Sequence, residues 1–332
     1  MRRGITAPAI VIAFIGFWLA HEAAAKPTAD YAVPSAGIDK NGFADTPSTT
    51  RGDTQLTSPR VTAAQIDRLV AIEKMQASDP SNSGSAASAN ACVERYIRAV
   101  DPNNRDWNSS DPRWGKMRDV ISEDCQSIVE GYKRKVAPAI QNAYSEAIGK
   151  SYKKHLGSKD ANTLIRFYES DAGQRYLALQ GALTAASNSG MNQFFTGKAV
   201  HDSQASTPAA MRARIQLLRL SKTFSIFIVA SEDARKAGGD TSGGPAIAIM
   251  MHVVAESQGQ ILDRLEDEYS ADLPIYTSFA TSPPELDELR ALYEATNVAN
   301  AAAGKVAAEF SPELNGNLNK WRQLYRSLSS DK

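Results

Sequence analysis

The stretch of sequence that decides the fold runs from residue 113 to residue 156 and reads RWGKMRDVISEDCQSIVEGYKRKVAPAIQNAYSEAIGKSYKKHL. Its large apolar residues recur at helical spacing over many turns. They are Trp114, Met117, Val120, Ile121, Ile128, Val129, Tyr132, Val136, Ile140, Tyr144, Ile148 and Tyr152. Because this spacing lines one side of a helix, the stretch predicts a long amphipathic α-helix with a kink or break at Pro138.

Helical patterns continue on both sides of this stretch, and most begin at a proline or a capping residue. Further helix starts are predicted at Ser58-Pro59, Asp111-Pro112, Ser158, Ser170, Thr207-Pro208, Pro245, Pro283-Pro284 and Pro312. The first of these helices should end near Gln76, and the segment from Ile215 to Ala230 is apolar on nearly every face, as in a buried helix. No segment alternates with a period of two over a useful length, so the predicted fold class is an all-α helical bundle.

The chain also resembles itself. A shift of 125 positions aligns Tyr144 with Tyr269, Tyr168 with Tyr293, and the helix start at Ser158 with the one at Pro283. We therefore predict two diverged copies of one helical unit, at residues 61–200 and 207–330. The alternative is that helical periodicity alone produces these matches.

The N-terminus has the pattern of a bacterial signal peptide. Arg2 and Arg3 form a positive start, and Ile10 to Ala20 form an apolar stretch that is shorter than the roughly 20 residues of a membrane-spanning helix. Small residues at Ala23 and Ala25 fit the rule for signal peptidase, so we predict cleavage near Ala25. The alternative is an uncleaved N-terminal membrane anchor.

Residues 1–25 are therefore a predicted signal peptide, and residues 26–60 are a predicted disordered linker. The linker mixes Pro, Ser, Thr, Gly and Asp with few large apolar residues, which is too little apolar surface to offset the entropy of ordering. The helical part is then expected to be periplasmic or secreted. Contact with a membrane is expected only if the signal segment stays uncleaved.

The chain has two cysteines, Cys92 and Cys125, and both lie after the predicted cleavage site. An oxidising compartment permits a disulfide between them, and we predict that they form one. The alternative is two buried free thiols. Neither cysteine has a C-x-x-C partner or a neighbouring histidine, so a redox or nucleophilic role is not expected.

Charge and motif content exclude several classes of protein. Lys+Arg and Asp+Glu both number 37, so no net charge favours binding to nucleic acid. The histidines are isolated, and the sequence lacks zinc-ligand spacing, a nucleotide-binding loop and a G-x-S-x-G motif. We therefore expect no metal, no cofactor and no catalytic residues.

Carboxylates offer the main alternative, an acid/base pair of a periplasmic hydrolase that acts on cell wall or glycan. The candidates are Glu123, Asp124, Asp263, Glu266, Asp267 and Glu268. Solvated helix faces with charge pairs four residues apart explain the same residues.

One short stretch resembles a known signature. Residues 164–175 read LIRFYESDAGQR and contain the pattern Phe-Tyr-x-Ser-x-x-Gly-x-Arg, formed by Phe167, Tyr168, Ser170, Gly173 and Arg175. This pattern resembles that of domain of unknown function family 2059, which consists of exported bacterial helical proteins, and the resemblance is best over residues 113–191. It implies a helical fold and an exported location, and it brings no known activity.

The signature makes physical sense as packing. Phe167 and Tyr168 would end a helix on its buried side, Ser170 would turn the chain, and Gly173 would let two helices approach closely. The alternative is a ligand site built from Tyr168, Ser170 and Arg175. The second predicted copy has Val298 where the glycine would fall.

The sequence therefore favours an exported all-helical protein that is a binding or structural module rather than an enzyme. Its expected partner is another protein, or a second copy of itself, bound through a helical surface. A periplasmic hydrolase and a membrane-anchored helical protein are the two alternatives.

Overall fold

The fold is known from a computed structural model. It describes residues 59–76, 92–93, 96–97, 100, 112–195, 217–226, 228–229, 253–259, 261 and 268–330. The predicted signal peptide, almost all of the predicted linker and the predicted helix starts at Thr207-Pro208 and Pro245 lie outside these residues.

Six helices have defined bounds. They are α1 (Ala63–Gln76), α2 (Pro112–His155), α3 (Ser158–Tyr168), α4 (Asp171–Phe195), α5 (Leu273–Ala280) and α6 (Pro283–Ser330). The described part of the chain contains no strand, and an isolated bridge joins Arg60 to Gly157. The predicted all-α class is confirmed. Within the same residues, no helix is both long and apolar enough to cross a membrane.

The long helices α2 and α6 lie side by side in opposite directions. Ion pairs join Lys135 to Glu309 at 3.1 Å and Lys154 to Glu294 at 2.8 Å. Nearer the start of α2, Asp124 accepts a hydrogen bond of 2.7 Å from the indole of Trp321. These contacts span about 45 Å at 1.5 Å per residue, so the pair is the longest packing unit among the described helices.

Two hydrophobic cores lie along this helix pair. The first contains α1, α3, α4 and α5, the end of α2 and the start of α6. The second contains the start of α2, the later part of α6 and helical residues between 92 and 100. Tyr144 packs against both cores.

A disulfide lies within the second core. Cys92 and Cys125 are bonded, with their Cα atoms 5.9 Å apart, so the predicted pairing is confirmed. Nearby, the ring of Tyr96 lies edge-on to Trp321 with centroids 4.9 Å apart. The disulfide therefore ties the segment around residue 92 to α2 beside a fully buried tryptophan.

One expectation about proline was wrong, because α6 runs through Pro312 instead of ending before it. Of the kink or break predicted at Pro138, the break is excluded, since α2 continues through this residue. A proline inside a helix removes one hydrogen bond and costs about 3 kcal/mol. Buried neighbours on both sides of Pro312, Phe310 and Leu314, pack into the second core, and this burial offsets the cost.

The described residues of the segment from Ile215 to Ala230 are mostly buried, as predicted, but they do not form one continuous helix. The chain turns at residues 219–220, and the helix resumes at Lys222. A helix at Leu273–Ala280 was not predicted, although α3, α4 and the start of α6 begin where expected.

The helix bounds agree with the predicted repeat in one respect. The break between α2 and α3 covers residues 156–157, and the break between α5 and α6 covers residues 281–282, at the same 125-residue shift. The first copy then turns again after Tyr168, whereas the helix continues past Tyr293. The repeat itself remains a prediction.

Candidate functional site

The signature residues form the turn between α3 and α4. The hydroxyl of Ser170 accepts a hydrogen bond of 3.1 Å from the Gly173 amide and donates one of 2.6 Å to the Phe167 carbonyl. A side chain at Gly173 would collide with that same carbonyl oxygen. The turn is therefore so tight that position 173 has no room for a Cβ atom.

The aromatic rings of the signature face the core on either side of this turn. Phe167 stacks on Phe279 of α5 with ring centroids 3.6 Å apart, and Tyr168 meets Phe279 edge-on at 5.4 Å. Tyr168 is fully buried. The signature thus docks α3 against α5.

Arg175, the last residue of the signature, forms an ion pair with Asp272. Its guanidinium donates two hydrogen bonds to Asp272, at 2.6 and 2.8 Å, in a bidentate pair just before α5. Tyr276 donates a third bond to the same carboxylate at 3.2 Å. The polar atoms of Tyr168, Ser170 and Arg175 therefore bind three different partners.

The hydroxyl group of Tyr168 contacts a buried cluster of ionisable groups. No sequence motif marked this cluster. The Tyr168 hydroxyl lies within hydrogen-bonding distance of Glu285, at 2.8 Å, and of Glu288, both on the first two turns of α6. The ammonium of Lys222 bonds Glu288 at 2.8 Å, lies 3.7 Å from Glu285, and sits 4.6 Å from the centre of the Tyr168 ring.

A third carboxyl group, that of Glu73 on α1, completes the cluster. It accepts hydrogen bonds from Tyr152 at 2.6 Å and from Tyr144 at 3.3 Å, both on α2. We call Glu73, Lys222, Glu285 and Glu288 the acid–lysine cluster. Their residues are at most 9% exposed, so water does not screen their charges.

The turn at residues 219–220 places the side chain of Lys222 beside the carboxyl groups of the cluster. The broken helix leaves backbone groups unpaired, and the side chain of Gln180 on α4 bonds two of them. It donates to the Leu220 carbonyl at 2.7 Å and accepts from the Lys222 amide at 2.9 Å. Tyr176 donates to the Leu220 carbonyl as well, at 3.1 Å.

The pKa values in the acid–lysine cluster are set by burial and by the interactions among its three carboxyl groups and one ammonium group. Burial raises the pKa of Glu73 to about 7, and repulsion from Glu288 adds to this, although Lys222 and the two tyrosines oppose it. Burial raises the pKa of Glu285 well above its usual value. For Lys222, burial alone would lower the pKa, but the carboxyl groups outweigh it and the net pKa is raised. The cluster therefore keeps its lysine charged and at least one carboxyl group protonated.

The described residues also show what the cluster is not suited to do. They include no group of three or more His, Cys, Asp or Glu side chains that could hold a metal ion. One oxygen of Glu285 and one of Glu288 are buried without a hydrogen-bond partner. Since the groups bond mainly to one another inside the core, the arrangement is suited to holding protons and to joining helices.

The carboxylates suggested by sequence lie elsewhere. Asp124 bonds Trp321 and Lys320 beside the second core, far along α2 from the acid–lysine cluster. Glu268 lies just before α5, and residues 263, 266 and 267 are outside the described part of the chain.

A sequence signal for the cluster did exist. Lys222 interrupts the apolar run from Ile215 to Ala230, and a charged residue within a buried helix needs a partner. Glu285 and Glu288 are three positions apart, which puts both on one side of a helix.

The helices, the disulfide and the buried cluster define an all-α, disulfide-bonded helical bundle. Residues 145–195 match the profile of a family, DUF2059, described as an uncharacterized protein conserved in bacteria. This match confirms the resemblance that the signature predicted. It contains all five signature residues but begins later than the predicted range of 113–191. No curated protein and no solved structure matches the chain.

Proposed function

We propose that this protein is an exported, non-enzymatic helical module that binds a protein partner, or a second copy of itself, through a helical surface. The observation that carries the proposal is the burial of the acid–lysine cluster: among the described residues, the carboxyl groups with the most strongly raised pKa lie in the core, where they bond Lys222 and buried tyrosines. A hydrolase needs its carboxyl groups open to substrate. The disulfide supports export, because such bonds persist in oxidising compartments.

The export part of the proposal is tested by intact mass. For protein recovered from the periplasmic fraction, we expect a chain that begins at Lys26 and takes up no alkylating reagent until it is reduced. After reduction it should gain two alkyl groups, on Cys92 and Cys125. A full-length chain in the membrane fraction would contradict export on a cleaved signal and would favour the membrane-anchored alternative.

The binding part is tested by crosslinking at the surface. Ile275 and Val298 are the large apolar residues most exposed among those described, at 45% and 46%. A photoreactive phenylalanine analogue at either position should give, in intact cells, one recurring adduct whose mass identifies a partner or a dimer. The same analogue at exposed Lys116 near the start of α2 is the control. Equal yields at all three positions, or no adduct, would contradict binding at Ile275 and at Val298.

A further inference from the structure

The acid–lysine cluster has an excess of carboxyl groups. Lys222 pairs directly with Glu288 and lies near Glu285, whereas the hydrogen bonds that Glu73 makes within the described residues come from the hydroxyl groups of Tyr152 and Tyr144. A buried carboxylate without a bonded cation costs several kcal/mol, so ionisation of Glu73 in place would destabilise the packing around it.

Glu73 also lies on a short helix that is separate from the α2–α6 pair. It is in the last turn of α1, whereas Glu285 and Glu288 lie on α6, which pairs with α2 along most of its length. The start of α1 has separate attachments: Gln65 donates to Asn162 of α3 at 2.7 Å, and Arg68 pairs with Glu169 at 2.6 Å. The last turns of α1 could therefore open without breaking the α2–α6 pair.

We infer that α1 is an acid-closed latch: its last two turns pack against the bundle while Glu73 carries a proton, and they open when Glu73 is ionised and reaches water. The bistable element is residues 69–76 of α1, which include Leu69 and Ile72, both buried in the first core. This inference does not depend on the proposed function.

The groups that face Glu73 set the sign of the pH dependence. Tyr144 and Tyr152 face it from α2, Glu288 from α6, and Lys222 from the segment after the turn. Burial, with repulsion from Glu288, raises the pKa of Glu73 from 4.5 to about 7. The stabilisation due to the bound proton is therefore fully present below about pH 4.5 and is lost as the pH rises toward 7.

Amide hydrogen exchange of the full mature chain, followed by mass spectrometry, tests the latch. After correction for intrinsic exchange, protection in peptides from residues 69–76 should fall on the order of 50-fold between pH 5 and pH 8. Protection along the α2–α6 pair should stay within a few-fold. An unchanged α1, or a parallel loss of protection in both regions, would overturn the inference.

Two variants locate the proton. Glu73→Gln is neutral at every pH and should keep α1 closed at both pH values. The matched control is Glu169→Gln, because this exposed carboxylate also contacts α1, through Arg68, and its loss should leave the pH dependence intact. If Glu73→Gln does not fold, Tyr152→Phe should move the end of the transition to higher pH, since it removes a bond that lowers the pKa of Glu73. A wild-type pH dependence retained in Glu73→Gln, or an unmoved transition in Tyr152→Phe, would contradict the latch.

Discussion

Replacing Lys222 with methionine should lower the free energy of unfolding by about 3–5 kcal/mol at pH 7, since it removes the only ammonium from a buried cluster of carboxyl groups. Methionine has a similar length and fills much of the same space, so the loss is electrostatic rather than a cavity effect. The measurement is urea unfolding followed by circular dichroism at pH 5 and pH 8. The loss should be smaller at pH 5, because protonated carboxyl groups need no cation.

Two variants show whether this loss belongs to the cluster. Adding Glu288→Gln to Lys222→Met removes the charge that the lysine neutralises, and it should restore a large part of the lost free energy. Lys154→Met changes a 64% exposed lysine that also pairs with a glutamate, and it should cost no more than about 1 kcal/mol. Equal losses for the buried and the exposed lysine would contradict our account of the cluster.

Replacing Gly173 with alanine should cost about 3 kcal/mol, at the upper end for overpacking, since the new methyl group would collide with the Phe167 carbonyl. A carbonyl in a tight turn is backbone, and it cannot move aside as a flexible side chain does. Relief of the clash would pull α3 away from α4 and loosen the stack of Phe167 on Phe279. Urea unfolding and near-ultraviolet circular dichroism of the buried aromatic residues would both report the change.

The same helix offers a matched control. Gly181 lies in α4, ten residues after the helix begins at Asp171. A Cβ atom at this position would meet nothing within 4 Å. Gly181→Ala should therefore stabilise the protein by about 0.5–1 kcal/mol, the usual gain from alanine inside a helix. If both substitutions had the same sign, the argument from the tight turn would be wrong.

Much of the fold could be predicted from local patterns. The serines at 158 and 170 and the proline at 283 place three helix starts correctly, since such signals act within one turn, although the N-cap of α3 is Gly157 and not Ser158. The disulfide was also predictable, because the two cysteines of the chain have one possible intrachain pairing.

What could not be predicted depends on distant contacts. Pro138 and Pro312 stop a helix in isolation, and only packing between α2 and α6 shows that the helix continues. The turn at residues 219–220 is likewise stabilised by Gln180, about 40 positions earlier in the chain. Local sequence carries no sign of such a partner.

The acid–lysine cluster shows the same limit for the site. Glu73, Lys222 and Glu288 are separated by long stretches of sequence. Glu73 and Glu288 alone resemble ordinary helix-surface charges, and Lys222, although it interrupts an apolar run, does not indicate its partners. The signature pointed to Tyr168 but not to its bond with Glu285. Because the cluster is assembled by tertiary packing, spacing rules that find metal or catalytic motifs have nothing to detect.

The uninterrupted course of α6 sets the length of the α2–α6 helix pair. The chain turns back after Tyr168, where Ser170 and Gly173 form a corner, but α6 has no such corner and extends for 48 residues. A helix of that length measures about 70 Å. Together with α2, this helix fixes the distance between the two cores. A partner that contacted both ends of α6 would therefore need two binding sites at that fixed distance.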